Sequence, residues 1–163
     1  MAAYADLNFY TETFFGDVLT EKNANKWLSL ASDEIDTLTF GRLTFAFPTV
    51  EAHVEKVKKA VCAIAETLYY IDLQRKAATA QQTADGTYKG AIASISSGRE
   101  SISYAVGNAS ASTYAAAAAS AVEQTKLLSS IAVKYLANIP DANGINLLYA
   151  GEVRYVPKHN HTV

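Results

Sequence analysis

A single cysteine, Cys62, in 163 residues leaves no partner for an internal disulfide and excludes a structural zinc site built on cysteines. Positive charge is also scarce. The 14 Lys and Arg residues against 16 Asp and Glu give a formal charge of −2, and no basic cluster breaks that balance. A polycationic grip on nucleic-acid phosphates is therefore not the expected main function. The first residues lack a basic segment followed by an apolar run, so no signal peptide is expected. The longest uncharged stretch, 101–122, is mostly Ala and Ser and too weakly apolar for a membrane span. These absences fit a soluble protein made in the cytoplasm. There is no phosphate-cradling glycine loop either. Ser97-Gly98 lacks the first glycine and the strand-to-helix setting of a nucleophile elbow.

Apolar surface, by contrast, is plentiful. Half of the residues are hydrophobic, and the length suits one domain, residues 1–163, with a single core. The chain is organised around the stretch from Val50 to Arg75. There Val50, Val54, Val57, Val61, Ile64, Leu68 and Ile71 step by four and three, laying one aliphatic stripe along a helix. Ala60 and Ala65 beside the stripe allow a second helix to approach closely. Pro48-Thr49 is the start signal, with Thr49 the expected cap. At 1.5 Å per residue this helix is roughly 39 Å long. Burying its stripe contributes roughly 1.5–3 kcal/mol per large aliphatic residue before entropy is subtracted. Such a face needs neighbours.

Residues 4–19 mix aromatics with Gly16 and Asp17 and read as a short extended or irregular lead-in whose rings pack onto the body. A helix then starts near Thr20, its expected cap, with Ala24, Trp27, Leu28, Ala31, Ile35 and Leu38 as its apolar stripe. Thr39-Phe40-Gly41-Arg42 ends it, and Leu43 to Phe47 lead to Pro48. Without a basic surface the pair is a packing hairpin rather than a DNA-reading one. Lys76 to Lys89 is rich in Ala, Gln and Thr, with Asp85-Gly86 as a turn signal. Ile92 and Ile95, a Ser-Gly turn, and Ile102 and Tyr104 alternating with serines then predict a β-hairpin over about 90–106. Polar and open-edged, it is expected to project and pair with another subunit. Thr113 to Ala137 reads as the last long helix, stopped by Pro140 and Gly144. Residues 145–163 read as an extended C-terminal tail. The expected fold is mainly α, a small bundle of three main helices (body about 20–80 and 110–138) with the hairpin arm and the tail. Such a monomer looks incomplete by itself, like a subunit of a ring or filament.

Residues that carry chemistry are few. His159 and His161 form an HxH pair, but no Cys or paired carboxylate accompanies it, and a polar terminus is the plainer account. His53 lies beside Glu51 and Glu55, away from the stripe, on a solvated helix face. Asp33, Glu34 and Asp36 have no partner base and read as surface acids. Cys62, beside an apolar stripe, reads as a small hydrophobe rather than a nucleophile. No catalytic residue, cofactor or metal ligand is expected, and no enzyme.

Four runs carry a resemblance. Trp27 to Arg42, with its Ile35-Asp36, Leu38-Thr39 and closing Arg42, resembles the first-helix pattern of the head–tail connector (adaptor) proteins of long-tailed phages and prophages. Val57 to Glu66 resembles their basic-then-apolar second helix. Ile95 to Tyr104 resembles their Ser-rich hairpin, and Ile145-Asn-Leu-Leu-Tyr-Ala-Gly151 their closing segment, although Ala150 stands where the family often has Arg. The match runs in order over about residues 24–151.

The resemblance implies a structural virion protein without cofactors. Such adaptors form a ring, usually of twelve subunits, beneath the portal of the DNA-filled head, and seat the head-closure (stopper) or tail-terminator protein. DNA passes through the channel without sequence-specific binding, and no membrane is involved. The expected location is the neck of a virion assembled in the host cytoplasm. Ile95, Arg99, Ile102, Tyr104, Leu148, Tyr149, Arg154 and Tyr155 are the expected portal or neighbour contacts, and Asp33, Glu34 and Asp36 the expected channel-facing acids. The alternatives are another neck or tail-completion protein, or a small cytoplasmic helical regulator or binding module acting as a dimer through its Ala-rich last helix.

Overall fold

In the computed structural model the described residues are 3–79, 92–95, 102–104 and 113–150. They are mainly helical, with α1 Leu7–Glu12, α2 Ala24–Leu38, α3 Arg42–Phe45, α4 Glu51–Thr79, α5 Thr113–Ala119 and α6 Ala121–Leu136. The long helix α4 is the axis, and α1, α2, α5 and α6 all pack on it. Its stripe holds from Val57 to Ile71, and Ala60, Cys62 and Ala65 widen the buried face because neighbours cover more than one side. Val50 is exposed. The first helical amides, of His53 and Val54, bond to the Val50 carbonyl at 2.9 and 3.0 Å. The cap position is therefore Val50 rather than Thr49, with Glu51 placing an acid in the positive first turn.

The stripe of α2 is as its spacing dictates, with Ala24, Trp27, Leu28, Ala31 and Ile35 all buried. Its start is later than expected. Asn23 is the cap residue, and its Oδ1 accepts from Thr20 N at 2.8 Å, closing a turn that delays the helix. The lead-in is likewise more ordered than an irregular segment. The Asp6 carboxylate accepts from Phe9 N at 2.8 Å and nucleates α1, which puts Tyr10 fully into the core.

Three further expectations change. The last helix is two, because Ser120 adopts an extended conformation (φ −137°, ψ 124°) and its hydroxyl caps α6. Three main helices are therefore six among the described residues. The tail does not begin at Ile145, since Leu147 is fully buried and Leu148 packs against the core. Asp141 and Ile145 close a tight loop, with Leu147 N donating to Ile139 O at 2.9 Å. A projecting β-hairpin is not supported. Ile92–Ile95 and Ile102–Tyr104 form one antiparallel pair with an irregularity between Ile92 and Ser94, and two strands this short are not a stable element by themselves.

Candidate interaction surface

The surface is built at the corner where α2 ends. Phe40 N donates to Thr37 O (3.2 Å) and Gly41 N to Asp36 O (2.7 Å), the two bonds of a Schellman cap. The cap requires a left-handed residue after Thr39, a place usually taken by Gly or Asn. Here it is Phe40, at φ 57°, followed by Gly41 at φ 71°. A bulky side chain in that conformation costs roughly 1–2 kcal/mol. The ring gains nothing back from the core, for Phe40 is 59 % exposed. One turn on, Phe45 of α3 is 91 % exposed. Both rings line a cleft of about 340 Å³ with Arg42, Ala46, Asp141, Asn143 and Ile145.

The floor of this corner is rigid. Arg42 is buried, and its Nε and Nη2 donate to the Tyr149 carbonyl at 3.2 and 2.9 Å. Its guanidinium also lies 5.9 Å from the centre of the Tyr149 ring, which is itself exposed. Ala142 N donates to Ala46 O at 3.1 Å. The buried Asp141 carboxylate accepts from the amides of Asn143 (2.8 Å) and Ile145 (2.9 Å). Strained backbone, exposed aromatics and a hydrogen-bonded base are what a preorganised docking patch needs.

A second cluster lies inside. The Tyr10 hydroxyl donates to Glu66 Oε1 at 2.6 Å and accepts from the amides of Val18 (2.9 Å) and Leu19 (3.0 Å). Burial, and then the Glu66 carboxylate, push the phenol well above its ordinary range. Burial raises the Glu66 carboxyl too, against the lowering effect of the Tyr10 hydrogen bond. The Cys62 thiol is pushed up to about 12, by burial first and then by Glu66 and Asp6. An un-ionised, enclosed thiol is no nucleophile, and the cluster pins the first residues to α4.

Of the expected site residues, Leu148 is partly buried against the core, and Tyr149 is exposed with its carbonyl held by Arg42. Asp33 is exposed and Glu34 half-buried, both beside a cleft between α2 and α4. Asp36 accepts a 2.7 Å hydrogen bond from the Tyr4 hydroxyl, which gives it a structural task. Arg99, Arg154, Tyr155, His159 and His161 lie outside the described residues, as do the side chains of Ile95, Ile102 and Tyr104. His53 is on the outer face of α4.

Phe40, Phe45 and the role of Arg42 escape the periodicity argument, because a turn has no period. Phe-Gly at a helix end is the one local signal that could have found Phe40. Among the described residues no group of three or more His, Cys, Asp and Glu could hold a metal ion, and no helix is long and apolar enough to cross a membrane. No protein-family model, curated protein or solved structure matches this chain.

Proposed function

We propose that this chain is a head–tail adaptor of a long-tailed phage or prophage, one subunit of a ring between the portal and the head-closure or tail proteins. The observation that carries this is the Arg42–Tyr149 link, because it joins two of the segments on which the resemblance rests. Arg42 closes the Trp27–Arg42 run and Tyr149 sits in the closing segment, 107 positions later, with the exposed Phe40 and Phe45 beside them. Assembly proteins work through such places, where a few aromatic and arginine anchors on a firm base dominate binding. Phe40, Phe45 and Tyr149 are the anchors. Leu148 packs against the core next to Tyr149, and in this reading Arg154 and Tyr155 contact the portal.

Quantitative mass spectrometry of DNA-filled particles from the producing cells tests the proposal. About a dozen copies of this chain per particle, in step with the portal, is the expected result. Absence from particles, with the chain abundant in cytosol, would overturn it and favour a cytoplasmic binding module. Deleting residues 152–163 should leave the fold intact and weaken portal binding.

A further inference from the structure

We propose that the corner cleft takes the guanidinium of an arginine side chain from a partner protein. The group lies against the Phe40 and Phe45 rings and donates to the second carboxylate oxygen of Asp141. This deepens the adaptor proposal by naming the group that the partner inserts, and it rests on that proposal only for the partner's being the portal.

Asp141 is 7 % exposed, and it lines the cleft. Burying a carboxylate is costly unless its oxygens meet donors. Oδ1 meets two, the amides of Asn143 and Ile145 at 2.8 and 2.9 Å. Oδ2 has no hydrogen bond or ion pair among the described residues. Nor is it sealed in, because the enclosed side-chain oxygen that lacks a hydrogen bond among those residues is Asp72 Oδ2. The Asp141 Oδ2 atom therefore opens into the cleft, and the two bonds to Oδ1 hold it there. Charge and direction are fixed before anything binds.

The walls suit a flat cation. Phe40 and Phe45 are both exposed, and neither makes a ring contact among the described residues. An aromatic face attracts a cation within about 6 Å of its centre. Guanidinium is planar and weakly hydrated, so it stacks on a ring while its edge donates, whereas an ammonium is a hydrated point charge. The cleft, about 340 Å³, is at the small end for a ligand site and suits one side chain rather than a cofactor. Arg42, the cation already at this corner, does not serve Asp141, for its Nε and Nη2 turn to the Tyr149 carbonyl. Arginine is also among the residues that dominate binding at protein interfaces.

Amide NMR of the isotope-labelled full chain, titrated with N-acetyl-arginine amide, tests the site. The Asn143 and Ile145 amide signals should shift and saturate. N-acetyl-citrulline amide has nearly the same shape without the charge and should bind about tenfold more weakly, and N-acetyl-lysine amide should also bind more weakly. Asp141→Asn keeps an oxygen for the two amides and replaces the open one with a donor, so saturation should disappear. Phe45→Ala removes a wall that lies outside the core and should weaken binding several-fold, which keeps the test intact if Asp141→Asn does not fold. Unchanged signals elsewhere will show that a variant is folded. No saturable shift, equal binding of the citrulline or lysine probe, tighter binding of N-acetyl-glutamate amide, or indifference to Phe45→Ala would each overturn the proposal. Arginine binding by a chain that is missing from particles keeps the site and removes the portal as its partner. A chain counted in particles that ignores the probe does the reverse.

Discussion

The buried guanidinium of Arg42 holds the backbone of Tyr149, with Nε and Nη2 both donating to one carbonyl, at 3.2 and 2.9 Å. The end of the first hairpin and the last described turn of the chain are thereby one structural unit. Lysine, with a single ammonium, cannot reproduce a two-donor fork. Arg42→Lys and Arg42→Ala should therefore both destabilise, the alanine variant by about 2 kcal/mol, the usual scale for a hydrogen bond from a charged group. Urea denaturation measures it. Equal stability of all three proteins would show that the link is incidental.

Gly16 is irreplaceable for a steric reason. A Cβ there would lie 2.1 Å from Tyr10 Cζ and 2.6 Å from the Tyr10 hydroxyl oxygen. Gly16→Ala must push the ring aside and break its bonds to Glu66, Val18 and Leu19, at a cost of about 2–4 kcal/mol. Tyr10→Phe keeps the ring and loses only the hydroxyl, so it should cost about 1–2 kcal/mol. Thermal unfolding of the two variants should rank them in that order.

Glu66 sets a pH dependence. Burial raises its carboxyl above the ordinary 4.5. A folded pKa above the unfolded one means that the folded state binds the extra proton. The contribution is thus fully present below about pH 4.5 and is lost as pH rises through the raised value. Glu66→Gln keeps an oxygen to accept from Tyr10 and cannot ionise. Denaturant midpoints between pH 4.5 and 8 should fall more steeply for the native chain than for Glu66→Gln. Parallel curves would show that Glu66 does not couple to folding.

Phe40 separates stability from function. Glycine takes its φ of 57° without strain, so Phe40→Gly should stabilise the protein by about 1 kcal/mol. The same change deletes an anchor of the docking patch, so incorporation into particles should fall. A variant that is both less stable and fully incorporated would remove Phe40 from the patch.

The sequence by itself determined the helices that have a period. The Val57–Ile71 stripe and the Ala24–Ile35 stripe are buried as their spacing dictates, because facing one way along a helix is a local property. It also carried the one-cysteine argument, and the Cys62 thiol is enclosed. Helix ends were less legible, since the Asn23 side chain closes the turn before α2 and the Ser120 hydroxyl caps α6, choices for which several nearby Ser, Thr and Asn residues compete.

Only the tertiary structure decided the rest. Tyr10 meets Glu66 across 56 positions, and Arg42 meets Tyr149 across 107. Leu147 leaves the expected tail for the core because Asp141 folds the chain back to it. Phe45, as apolar as any core residue, remains 91 % exposed because it sits on the side of α3 opposite the buried Leu43, where none of the described residues covers it. Burial is a property of neighbours, and a residue's neighbours are chosen by the whole chain.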